Sequence, residues 1–193
     1  QPYAMLWMGD AFWVTEGNSN QLLRVSLDGT VTRVADLSRG HPIPTGIAPA
    51  PEGGAYVGFL TAIPYAEGTA SVVEVSPDGT VTETWTGLTL VTALATGPDG
   101  ALYALEMATG YGDDPGSIAP GTGRVVRLGN QGVIEPVVTG LALPVAMEFG
   151  PDGALYVAGP TFGAEAGQGT ILRVDLSATQ PVAVPQAAAG PTC

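Results

Sequence analysis

The chain has 193 residues, 45% of them hydrophobic and only 12% charged, which is apolar material for one domain with a sizeable core. Eighteen acidic residues stand against six basic ones, all arginine, and a net charge of -12 argues against direct binding to the phosphate backbone of a nucleic acid. No stretch reaches the ~18 consecutive apolar residues of a membrane-spanning helix, and the low total charge argues against a disordered acidic tail.

With 28 glycines, 17 prolines and no sustained helical periodicity, the short apolar segments punctuated by Gly, Pro and Asp predict an all-β protein. In chain order, a first group of strands is predicted over Tyr3–Met8, Ala11–Glu16, Gln21–Ser26 and Thr30–Leu37. A second covers Gly46–Ala50, Ala55–Leu60, Ser71–Ser76 and Thr80–Thr86, and a third Thr92–Thr96, Ala101–Met107, Gly123–Leu128 and Val133–Thr139. The fourth has Val145–Phe149, Ala154–Ala158 and Thr170–Asp175, with Pro181–Val184 as its outer strand. The tail, residues 186–193, reads as flexible coil.

These groups are copies of one unit. The turn-plus-strand runs GDAFWV, EGGAYV, DGALYA and DGALYV centre on Trp13, Tyr56, Tyr103 and Tyr156, spaced 43, 47 and 53 residues apart. Each is followed by a second marker: LLRV at Leu22, VVEV at Val72, VVRL at Val125 and ILRV at Ile171. A repeat of that length holding four short strands predicts a β-propeller of four-stranded antiparallel blades, with about four blades here, over residues 1–39, 42–88, 89–141 and 142–185. The pairs Asp28-Gly29, Asp78-Gly79, Asp99-Gly100 and Asp152-Gly153 fall between strands, where tight turns need a positive φ, so these aspartates are assigned to turn chemistry.

Candidate functional residues are few. Inner strands are small near the axis (Gly46, Ala48, Ala93, Ala95, Ala146), but the fourth carries Glu148 where an alanine is expected. That carboxylate is either hydrated at a channel mouth or paired with a cation. Glu16 and Glu106 both lie three residues after the aromatic centre and leave the disc on one face; with Glu148 they are candidate oxygen ligands for Ca²⁺, or simply surface carboxylates. Two long connections on that face, Thr61–Ala70 and Ala108–Thr122, offer Tyr65, Tyr111, Asp113 and Asp114 as candidate ligand or partner contacts. Asp113-Asp114 before Pro115-Gly116 reads equally as a solvated turn. The single histidine, His41, lies in a Pro-rich connection, and no G-x-S-x-G elbow, zinc cluster or phosphate loop is present. Cys193, the only cysteine, is either a free thiol or a bridge to another chain.

The segment TEGNSNQLLRVSLDG from Thr15 resembles an NHL-type blade. The order PYAMLWMGDAFWVTEGNSNQLLRV, PTGIAPAPEGGAYVGFLTAIPY, GPDGALYALEMATG and PVAMEFGPDGALYV resembles the C-terminal half of the ScyD/ScyE family across nearly the whole chain. The resemblance implies a secreted, extracellular bacterial propeller, six-bladed when complete, and supplies no catalytic residues. On that basis two blades' worth of neighbours come from another polypeptide, the N-terminal part of the same precursor, or else from self-association. The start at Gln1-Pro2-Tyr3 fits a processed product or fragment. Three functions follow: a non-enzymatic module binding a ligand or protein, a Ca²⁺-dependent lactonase- or hydrolase-like propeller, and a structural subunit of an extracellular assembly.

Overall fold

Sixteen strands and almost no helix make up the computed structural model, which describes residues 1–109, 118–162, 165, 167–176 and 180–185. The first sheet is a meander of β1 (Pro2–Trp7), β2 (Ala11–Glu16), β3 (Gln21–Ser26) and β4 (Val31–Asp36). The second repeats the order with β5 (Pro44–Pro49), β6 (Ala55–Phe59), β7 (Ala70–Val75) and β8 (Val81–Leu88). The third contains β9 (Val91–Thr96), β10 (Leu102–Glu106), β11 (Gly123–Leu128) and β12 (Ile134–Leu141). The fourth contains β13 (Ala146–Phe149), β14 (Leu155–Gly159) and β15 (Thr170–Val174). These are four blades of a β-propeller, and the glycines of the four Asp-Gly turns all take positive φ, from 75° to 86°.

The apolar cores lie between blades rather than within them. One cluster joins Trp13 and Leu22 of the first blade to Val57, Phe59 and Val75 of the second. Another joins Val72 and Trp85 to Leu94, Ala104 and Val126, and a third joins Tyr103, Leu105 and Val125 to Met147, Leu155 and Val157. Each fully buried Val or Leu contributes about 1.5–3 kcal/mol, so neighbouring blades stabilise one another through side chains that alternate along every strand. At the inner edge the blades come close enough that a Cβ on Gly46 would lie 2.7 Å from the backbone of Ala93 and Leu94.

Hydroxyls reinforce that inner edge. Thr15 donates to the Thr45 carbonyl at 2.7 Å, Thr45 to the Val91 carbonyl at 2.6 Å, and Thr92 reaches the Pro144 carbonyl at 3.5 Å. Each bond crosses from one blade to the next and satisfies a buried carbonyl.

Two expectations need correction. Pro181–Val184 is not the outer strand of the fourth blade: β16 (Val182–Ala183) runs parallel to β12, and the Val184 N–H donates to the Thr139 carbonyl. Val182 and Val184 gain burial against the third interface there, and the edge of β12 gains ladder partners. The inner strand of the second blade starts at Pro44 rather than Gly46, because an irregularity between Pro44 and Ile47 lets a residue without an N–H enter the ladder.

Candidate functional site

The second strands end on one face of the disc, where the long connections also lie. Glu106, the last residue of β10, is fully buried there. Its carboxylate accepts the Thr89 N–H at 2.5 Å and the Nε–H of Arg124, its cross-strand partner on β11. Burial pushes the Glu106 carboxyl above its ordinary pKa, against the opposing pull of Arg124 and the Thr89 N–H. Thr89 in turn accepts the Gly68 N–H at 2.9 Å, so the pair ties two blades to a connecting loop. Above them Leu90, Met107, Ala108 and Leu143 form a small apolar cluster against which half-buried Tyr65 packs.

Glu16 holds the same register on the first blade with different partners. It accepts the Asn18 N–H at 3.0 Å and the Ser19 N–H at 2.8 Å, and it also accepts from the backbone nitrogen of Gln1. Glu148 lies opposite Tyr156, as Ala48 lies opposite Tyr56 and Ala95 opposite Tyr103. Its side chain is exposed, makes no bond to any described residue, and lines a groove of about 540 Å³ running along the four inner strands. The groove is otherwise mainly apolar, with Met5, Ile47, Leu94 and Met147 among its walls. The structure does not gather Glu16, Glu106 and Glu148 into one ligand set: among the described residues no three of His, Cys, Asp or Glu cluster as metal ligands. Tyr111, Asp113, Asp114 and Cys193 lie outside the described residues.

Two of the turn aspartates, Asp99 and Asp152, do more than shape turns. Asp99 accepts the Tyr103 hydroxyl at 3.2 Å and Arg127 Nε–H at 2.9 Å, and Asp152 accepts Tyr156 at 3.1 Å and Arg173 at 2.9 Å. Each triad joins a turn to the second and third strands of its blade. Arg173 first, then the Ala154 N–H, hold the Asp152 carboxyl below the usual carboxylate range. The sequence signal for these triads is the Asp-Gly turn, the tyrosine four residues after the Asp and the arginine in the following V-x-R or L-R-V strand.

No family model matches the chain, and no curated protein matches it. Solved structures do. A streptogramin B lyase structure is 20% identical with a TM-score of 0.60, over 92% of this chain and 55% of that one. A gluconolactonase from Xanthomonas campestris is 19% identical with a TM-score of 0.62, over 90% of this chain and 60% of that one. The PQQ-bound aldose sugar dehydrogenase from Streptomyces coelicolor is 17% identical with a TM-score of 0.61, over 81% of this chain and 55% of that one. At such identities the likeness concerns the fold alone. The chain is therefore a β-propeller protein of four blades, and it spans well under two thirds of the length of the solved propellers it matches.

Proposed function

We propose that this chain is a binding segment of an extracellular propeller of the ScyD/ScyE type, and that it holds a ligand or protein without transforming it. The observation that supports this reading most is how its carboxylates are used. Glu106 is committed to Arg124 and Thr89, Glu16 to the turn that follows it, and Asp99 and Asp152 to tyrosine and arginine of their own blades. Side chains held in this way fix loops and strands; they are poorly placed to move protons or polarise a bond. The apolar groove and the Tyr65 side of the loop face remain as recognition surface.

A second reading, a metal-dependent lactonase-like propeller, draws on Glu148, the groove carboxylate with no partner among the described residues. The gluconolactonase among the structural neighbours supplies the chemistry to test. By themselves the described carboxylates do not make a Ca²⁺ site, so this reading needs ligands from outside them. Incubation with δ-gluconolactone and a p-nitrophenyl ester, with and without CaCl₂, decides between the two. The binding reading expects no turnover and no change in Tm with CaCl₂. Turnover abolished by Glu148→Gln would overturn it.

A further inference from the structure

Strand register allows one position to be compared four times. Met5, Ile47, Leu94 and Met147 each precede the residue that faces the aromatic centre. Ile47, Leu94 and Met147 are 8%, 6% and 8% exposed, because the preceding blade covers them; Met5 is 68% exposed. On the third strands the equivalent residues Leu22, Val72, Val125 and Ile171 face the following blade. The first three are 0% exposed and Ile171 is 73% exposed. Trp7 and Val31 extend the uncovered face of the first blade. Two open sheet faces are thus the two halves of an interface that occurs three times inside the molecule.

We propose that both faces are closed by further blades of the same register, carried by a stretch of the same polypeptide that precedes β1. This stands independently of the binding reading above. Three observations select the occupant. Four blades span 55% to 60% of the solved propellers, which leaves room for roughly two to three more, whereas a second copy would bring four. Gln1 sits where every inter-blade connection delivers the chain: Gly17 donates to its carbonyl, as Leu60 donates to Ile43, Met107 to Leu90 and Thr161 to Leu143. After β15, by contrast, the chain turns back to β12.

The junction at the fourth blade also has its own chemistry. Val145 occupies the position from which Thr45 and Thr92 pass a hydroxyl to the next blade, and Glu148 stands where the second and third blades have Ala48 and Ala95 and the first has Leu6. Where the arriving blade covers Glu148 it should bring an arginine, lysine or other N–H donor, since a carboxylate covered by protein without a partner is strongly destabilising.

Hydroxyl-radical footprinting of the native protein and of the 193-residue chain expressed alone tests the proposal, with buried Met147 as the internal control. Met5 and Trp7 should oxidise about tenfold more slowly in the native protein, approaching Met147. The native species should be a single polypeptide heavier than 19.5 kDa in both native and denaturing mass spectrometry. Equal reactivity of Met5 in both samples would sink the idea. So would protection in a species made only of 19.5 kDa chains, which would assign the faces to a second copy. As an independent check, Met5→Glu should make the isolated chain less prone to aggregate and should prevent closure of the native protein. If the native protein closes normally with that charge, the proposal fails.

Discussion

Glu16 and Glu106 occupy one register on two blades and have opposite fates. Glu106 has Arg124 across the ladder and the Thr89 N–H beside it, so its carboxylate is fully buried in an ion pair whose arginine stays partly exposed. Glu16 has Gln21 across the ladder and only a tight turn above it, so it folds back onto the N–H groups of Asn18 and Ser19 near the surface. Residue type and register alone do not decide a role. The cross-strand neighbour and the backbone N–H groups nearby do.

The sharpest way to break this comparison is to delete each carboxylate. Glu106→Ala leaves the buried Thr89 N–H and the partly exposed Arg124 without their acceptor and should lower stability by about 3 kcal/mol, measured by urea denaturation. Glu16→Ala in the same assay should lose only about 1 kcal/mol, because water replaces its partners. If the two losses were equal, burial would not be what separates them. A smaller effect is expected from Gln21→Arg, which gives Glu16 the cross-strand partner of Glu106. A partly buried pair near the surface should add about 0.5 kcal/mol, and less in high salt.

The smallest effect is the pH dependence. Burial raises the folded-state pKa of Glu106 above its ordinary 4.5, so its contribution to stability is complete below that value and declines as pH rises through the folded pKa. The Tm difference between wild type and Glu106→Gln should therefore fall as pH rises from 4.5. Asp152 behaves oppositely: its pKa is lowered, so its contribution holds above the ordinary 3.8 and fades as pH falls below it. Asp152→Asn should accordingly converge with wild type in acid.

Local chemistry made much of the fold readable. The strands Ala11–Glu16, Gln21–Ser26 and Gly123–Leu128 begin and end where the alternation and turn residues place them. The Glu106–Arg124 pair was also within reach: Tyr103 opposite Arg127 fixes the register that sets Glu106 opposite Arg124. What stayed hidden depends on neighbouring blades. Nothing within a single repeat shows that Thr45 donates across an interface, that Pro44 enters the ladder beside an irregularity, or that Val182 prefers the third sheet to the fourth. In the sequence the candidate site is a set of acidic residues sharing a face, and their partners are set by the cross-strand residue and by the backbone N–H groups nearby.

The pairing of β16 with β12 has a consequence for how the protein is made. Residues 182–183 leave the ribosome only after the whole of the fourth blade, yet they complete the outer edge of the third. During synthesis that edge is an unpaired template open to other chains. The outer edge of the third sheet is therefore completed in a delayed event, a long-range contact that slows the search, and the aggregation hazard at that edge lasts until residues 182–183 have emerged.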